Sequence, residues 1–291
     1  MNPTLTIGIP FYNPGPAFLD CLKSIWAQSF QDWELLLVDD GSSDSSLTLA
    51  LRIRDSRVRI IYDGRHLGLS ARLNQISHLA RGTYVARMDA DDMMHPNRLE
   101  RQLAAFHAQP NLDFVSTNAY ILSPEGYVLG IRRAYPLTPT RILLNGCHLH
   151  ASLVARRSWF LAHPYSVDYV RGQDRELFAR TAQTASAKIL NEPLYFYRYI
   201  VNFRAWQQGY RTERMVLRTW GPSLIGSTRT AVLYLFSLFK ATLLRIFARA
   251  GCSQYLARKA ILPLSELQRQ HVEDILKHIR TTRVPGLSDE S

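Results

Sequence analysis

The chain has 291 residues, 46% hydrophobic and 20% charged, which excludes an intrinsically disordered protein because there is ample apolar surface to offset chain entropy. Its three cysteines, Cys21, Cys147 and Cys252, are odd in number and far apart, which excludes a disulfide scaffold and fits a reducing compartment. The net charge is +11, and residues 203–291 hold most of the excess with 14 basic and 6 acidic side chains, a balance suited to nucleic acid or an anionic membrane surface.

The opening MNPTLTIGIPFYN has no basic start and no long apolar run, so no signal peptide is expected. Leu5–Ile9 reads as a strand ending at Pro10. Phe18, Leu22, Ile25 and Trp26 have helical spacing within Ala17–Gln28. Leu35–Val38 is a buried-strand run leading into Asp39-Asp40-Gly41-Ser42-Ser43-Asp44. A helix over Leu47–Ile53, a strand over Val58–Tyr62 and a helix over Leu69–Ala80 follow. Tyr84–Met88 is a strand that runs into Asp89-Ala90-Asp91-Asp92. Such alternation predicts right-handed βαβ units, a mostly parallel sheet, and ligands at the carboxyl ends of the strands.

Beyond residue 95 the pattern loosens. Helices are expected over Pro96–Phe106 and Arg175–Thr184, and strands over Phe114–Leu122, Ser152–Ala155 and Leu194–Tyr199. A boundary near 203 separates residues 1–202, divided into 1–106 and a looser 107–202, from a basic helical region, 203–291. Leu264–Ile279 has an amphipathic stripe, with Ser265 and Gln268 at capping-box spacing. The tail from Pro285 is expected to fray.

Three carboxylates at one strand end repel one another unless a cation or donor groups compensate. Asp89, Asp91 and Asp92 therefore suit a hard divalent ion, Mn²⁺ or Mg²⁺, shared with substrate phosphates. The competing readings are a solvated acidic turn, or Asp92 capping the next helix. In Asp39–Asp44 a carboxylate at the strand end can accept a hydrogen bond from a nucleobase or ribose, while Ser42, Ser43 or Asp44 can cap a helix.

In order, Gly8-Ile9-Pro10-Phe11-Tyr12-Asn13, Ser24–Ser29, Leu36–Asp44, Gly68–Asn74 and Ala80–Asp92 resemble the opening of the inverting family 2 glycosyltransferases. The resemblance is strong over residues 4–106 and traceable to about 200. It implies a GT-A fold, a Rossmann-like, mostly parallel α/β sheet flanked by helices, here with a C-terminal helical appendage. It implies a nucleotide-sugar donor, with UDP the default nucleotide and GDP an option. Pro10 and Tyr12 fall where the family lines the base pocket, and Asp40 where a carboxylate receives the base N–H. Arg72 falls in a segment that contacts base or diphosphate. Asp89 and Asp91 are the acids of the DxD motif, for ribose and metal-bound diphosphate, and Asp92 is an adjacent metal-binding acid. Asp174 falls at the general base that opens a helix, although Gln173 replaces the usual Glu; the competing reading is a helix cap. His150 could line the acceptor side but is not assigned to catalysis. The His that follows a Tyr-Arg pair in many relatives is absent after Tyr197-Arg198.

The resulting expectation is a metal-dependent inverting glycosyltransferase that acts on a hydroxyl of a glycan or lipid-linked acceptor in bacterial surface polysaccharide synthesis. A cytoplasmic protein is expected, peripheral at the inner face of the membrane. Thr228–Gly251 and the arginines before it suit a membrane interface. A helix packed on the domain with a solvated basic face is the competing view, and no nucleic acid partner is expected. A polyprenyl-phosphate sugar synthase, or a non-catalytic binding protein on the same scaffold, would be the alternatives.

Overall fold

The computed structural model describes residues 2–135, 138–145, 149–199, 203–249 and 261–287. Four strands, β1 (Leu5–Phe11), β2 (Trp33–Asp39), β3 (Val58–Ile61) and β4 (Tyr84–Arg87), form a parallel sheet in the order β3-β2-β1-β4. Helices α1 (Ala17–Trp26), α2 (Ser46–Leu51) and α3 (Leu69–Leu79) make the crossovers. Every residue of β1 and β2 is buried, as expected for a sheet covered on both faces. The pleat divides them. Leu35 and Leu37 pack with Phe18, Leu22 and Ile25 of α1, whereas Leu36 and Val38 pack with Leu73 and Ile76 of α3. Each such buried Leu or Ile contributes about 1.5–3 kcal/mol. The strand β1 runs through Pro10, because the missing proline N–H faces the side where pairing with β4 has ended at Gly8.

The second half adds β5 (Met93–Met94), α4 (Arg98–Ala108), β6 (Phe114–Leu122), β7 (Val128–Arg132), α5 (Pro139–Asn145), β8 (Val154–Arg156), α6 (Arg157–Ala162), α7 (Gln173–Thr181) and β9 (Ala187–Arg198). The sheet continues from β4 through β8, β6 and β9 to β5, with β7 on β6. The β6–β9 pair is parallel, and the others here are antiparallel. The parallel character expected from the sequence therefore belongs to β1–β4, within residues 1–106. Strand β7 and the start of β9 lacked a strand signal because Gly130, Asn191, Glu192 and Pro193 interrupt their patterns.

Two long helices follow, α8 (Phe203–Ile225) and α9 (Ser227–Arg249), and then α10 (Glu266–Thr281). Val216 and Leu217 of α8 are fully buried against the cluster that holds Leu177 and Phe178 of α7. Val272, Leu276 and Ile279 of α10 bury against Met93, Leu122, Val128 and Phe196. The Ser265–Gln268 capping box is present at the start of α10. The tail does not fray as expected over Pro285–Leu287. Val284 is buried, and the Pro285 carbonyl accepts the Arg54 N–H at 2.8 Å. The anticipated helix over Thr228–Gly251 corresponds to α9; Gly251 lies outside the described residues, as do Cys147, Cys252 and Ile200–Asn202.

Candidate active site

The loops after β1 and β2 are tied together. Asn13, at φ 49°, places its Oδ1 to accept the N–H groups of Ser43 at 2.7 Å and Asp44 at 3.1 Å. Asp44 in turn accepts from Gly15 at 3.1 Å and Ser46 at 3.0 Å, and these bonds hold its carboxyl below the usual range. Asp39 accepts from Gly41 and Ser42. These bonds orient the chain around Asp40.

Asp40 is buried, and its carboxylate accepts the N–H of Leu67 at 2.7 Å and of Gly68 at 3.0 Å. Arg72 Nε lies 2.9 Å from the same carboxylate and His66 Nδ1 3.0 Å from it. The Tyr12 ring, 53% exposed, sits over His66 with centroids 4.3 Å apart. Tyr12 is thus an open aromatic face beside a held carboxylate.

Arg72 is fully buried, and its guanidinium donates to Asp40, Asp63, Gln75 and the Arg65 carbonyl. It lines neither of the two clefts described below and ties the Asp40 loop from behind. Its hydrogen bonds to Asp63 hold that carboxyl at about 2. Removing one partner of a buried ion pair costs about 3–5 kcal/mol, since the remaining charge is stranded. Arg72→Ala is therefore expected to lower the unfolding free energy in urea by about that amount, and Arg72→Lys by a substantial part of it because the fork is lost.

At the end of β4, Arg87 grips Asp89 through two bonds of 2.7 and 3.0 Å. Asp91 is pushed up to about 6 by desolvation and then by Asp89. Asp92 is 1% exposed, and burial, followed by Asp91 and Asp89, raises it well above the carboxylate range. Its Oδ1 accepts the Arg198 N–H at 2.7 Å, and its Oδ2 is buried without a hydrogen-bond partner. Arg198 also donates to the carbonyls of Asp91 at 3.0 Å and Pro124 at 2.7 Å, which clamps the acidic loop to β9. Asp92 makes no cap bond to α4, whose N-cap is Asn97.

A hard cation fits this donor set on chemistry: three carboxylates, of which Asp91 and Asp92 are raised by burial and then by acidic neighbours, and Asp92 keeps an orphaned buried oxygen. The fit is partial. Among the described residues no group of three or more His, Cys, Asp or Glu is arranged to enclose a metal, and Asp89 is already engaged by Arg87. Substrate oxygens would have to complete the shell.

Two clefts meet at Asp89. One, of about 600 Å³, is lined by Pro10, Tyr12, Asp20, Asp89, Asp91 and Arg198 among others. The other, of about 760 Å³, is lined by Arg87, Asp89, His150, Gln173, Asp174 and Tyr197 among others. Asp174 lies in the first turn of α7. The cap position there is Gly172, left-handed at φ 73°, with no side-chain cap bond, so Asp174 is not spent on capping. Its neighbours are engaged elsewhere: Arg175 reaches Glu213 at 3.4 Å, and Glu176 pairs with Arg180 at 2.9 Å. His150 is buried, with Nε2 2.8 Å from the Tyr165 hydroxyl, and desolvation drives its pKa well down. It is a neutral wall of the second cleft.

The structure brings Pro10, Tyr12, Asp89 and Asp91 to one cleft and joins Asp174 to it through Asp89. Asp40, Arg72 and Asp92 lie behind these walls. Arg87, Arg198, His66 and Asn13 escaped sequence reasoning. Each acts through a partner distant in the chain or through loop geometry, and a lone Arg, His or Asn carries no pattern.

The α/β sheet, its flanking helices and the C-terminal helices match the GT-A fold of the solved structures given below. The chain belongs to glycosyl transferase family 2, which matches residues 6–160. It is 30% identical over 161 residues to the putative glycosyltransferase EpsE of Bacillus subtilis, a match covering 54% of this chain and 58% of EpsE. It is 26% identical over 190 residues to the Escherichia coli UDP-Glc:alpha-D-GlcNAc-diphosphoundecaprenol beta-1,3-glucosyltransferase WfgD, covering 64% of this chain and 73% of WfgD. Other relatives are much longer, and the chain spans only 13% of y4gI from Sinorhizobium fredii. Among solved structures, Staphylococcus aureus TarS 1-349 superposes with a TM-score of 0.61 at 15% identity, over 96% of this chain and 80% of TarS 1-349. The mannosyltransferase PcManGT of Pyrobaculum calidifontis, in complex with GDP-Man and Mn²⁺, gives 0.59 at 17% identity, over 96% of this chain and 85% of PcManGT.

Proposed function

We propose that this chain transfers a sugar, with inversion, from a nucleoside-diphosphate donor to a hydroxyl of a glycan or lipid-linked acceptor in bacterial surface polysaccharide synthesis. The carrying observation is that two clefts meet at Asp89, one lined by Tyr12 and Asp91 and the other by Asp174. The donor belongs in the first cleft, its base against Pro10 and Tyr12 near Asp40. A UDP-sugar is the favoured donor, supported by the name of WfgD and by TarS structures with UDP and UDP-GlcNAc. In the second cleft the acceptor oxygen attacks the anomeric carbon while its proton passes to the Asp174 carboxylate. The bond from that carbon to the diphosphate breaks in line, and the nucleoside diphosphate leaves. Asp91, with Asp89 and Asp92, would hold Mn²⁺ or Mg²⁺, which when bound supplies charge neutralisation for the leaving diphosphate. Arg87 holds Asp89 in place, and Arg198 braces the Asp91 backbone.

The test is a thermal-shift panel of UDP-, GDP- and dTDP-sugars, each with Mn²⁺, Mg²⁺ or EDTA. A ligand bound only to the native state raises its stability by about 2.7 kcal/mol at 100 times Kd. A shift with one nucleotide that EDTA removes is expected; no shift with any sugar nucleotide would count against the donor site.

Membrane contact is part of the same reading. On α9, Val232, Leu235, Phe236, Phe239 and Ile246 form an exposed apolar stripe, with exposed Arg229 and Arg245 alongside. No helix among the described residues is long and apolar enough to cross a membrane. Such a stripe flanked by arginines suits an interfacial helix, with each basic residue adding about 1 kcal/mol at an anionic surface. The chain is expected to co-sediment with phosphatidylglycerol vesicles and not with phosphatidylcholine vesicles, and Leu235→Asp with Phe239→Asp to remain in the supernatant.

A further inference from the structure

We propose that the second cleft binds a phosphate ester carried by the acceptor, through Arg132, Arg133 and Arg171. This rests on the reading of that cleft as the acceptor side. All three arginines are exposed and line the cleft. Among the described residues, none of the three is paired with a carboxylate, although the chain's other arginines often are. The fourth arginine of the lining, Arg87, is neutralised by Asp89. Asp174 is then the one acid set against three guanidinium groups, so the cleft carries an uncompensated positive charge.

The backbone that carries the arginines is anchored. Arg132 is in the β7 ladder, opposite Ala119. Arg133 is held between it and Ala134, whose N–H donates to Asn118 Oδ1 at 2.8 Å. The Arg171 carbonyl accepts the Thr212 hydroxyl at 2.5 Å, just before the left-handed Gly172 that opens α7. Two separate segments therefore aim planar forked donors into one space. Such forks match phosphate oxygens bidentately, and three of them suit a multiply charged group better than a single carboxylate. The donor diphosphate belongs on the other side of Asp89, near Asp91 and Arg198, so a second phosphate in this cleft comes with the acceptor. It sits beside the hydroxyl that Asp174 deprotonates. The source is either a lipid-diphosphate sugar or a phosphate-bearing polymer, and the chemistry recognised is the same.

The test uses calorimetric titration of the full chain with three probes: N-acetylglucosamine linked by diphosphate to a short prenyl chain, a glycerol-phosphate oligomer, and neutral octyl glucoside. UDP and GDP are titrated in parallel with Mn²⁺. At least one phosphate probe is expected to bind ten times tighter than the neutral glycoside, and which one binds names the source. Arg133→Gln with Arg171→Gln should remove that preference, Arg133→Lys with Arg171→Lys should keep part of it, and nucleotide binding should be unchanged in both. Equal binding of neutral and phosphate probes, or a preference that survives the double Gln variant, overturns the proposal. Loss of nucleotide binding in the double Gln variant also overturns it, since the arginines would then serve the donor. Nucleotide titration of the wild-type chain reports on the donor reading separately.

Discussion

Asp174→Asn is expected to lower kcat by about 10²–10⁴-fold while leaving donor KM within about a factor of two, the signature of a lost proton acceptor. The substitution keeps size and polarity and removes only the basic oxygen. Asp174 makes no side-chain cap bond, so the helix does not lose a cap with it. Unfolding temperature should therefore move by no more than a degree or two. Measuring kcat, KM and unfolding temperature together separates catalysis from folding. The result also distinguishes two chemistries. In a polyprenyl-phosphate sugar synthase the acceptor is an anion already and no base is required, so turnover would be nearly unchanged. The arginines of the second cleft make that outcome worth testing directly.

Asp91→Asn is expected to abolish turnover and to stabilise the protein. Asp91 titrates near 6, against an ordinary value of 3.8, because burial and Asp89 disfavour its charge. The native state thus holds a proton between those values that the unfolded chain has released. By linkage, stability contributed by this group falls as pH rises from about 4 to about 6 and stays lower above that. A shift of about two units corresponds to roughly 1–3 kcal/mol once coupling with its acidic neighbours is allowed for. At pH 7.5 Asp91→Asn should raise the unfolding temperature by several degrees, and at pH 4 the gain should vanish. Unfolding temperature measured at both pH values checks the sign. A residue that destabilises the fold when ionised, at the edge of a cleft, is explained by a ligand that uses its charge.

The fold of residues 1–106 was largely legible in the sequence. Alternating apolar runs such as Leu35–Val38 and helical spacings such as Phe18–Leu22–Ile25 report local periodicity, which the sheet and its crossovers obey. That of residues 107–199 was less so. Strand β7 is short and contains Gly130, and the start of β9 carries Asn191, Glu192 and Pro193; what holds them is pairing with β6, a contact between distant segments. At the site, Asp89 and Asp91 stood out because clustered acids at a strand end are costly. The ion pairs of Arg72 were hidden because its partners Asp40 and Asp63 are brought to it only by the fold. Packing of the tail through Val284 and Pro285 was hidden for the same reason: its partner, Arg54, is far away in the chain.

In the proposed mechanism labour divides across Asp89, with the donor on the Asp91 side and the proton acceptor on the Asp174 side. The most direct measurement is calorimetric titration of a UDP-sugar with Mn²⁺ into the wild-type chain, Asp91→Asn and Asp174→Asn. Binding to the wild type and to Asp174→Asn with similar affinity, and at least tenfold weaker binding to Asp91→Asn, is the predicted result. Loss of donor binding in Asp174→Asn, or its full retention in Asp91→Asn, would contradict that division.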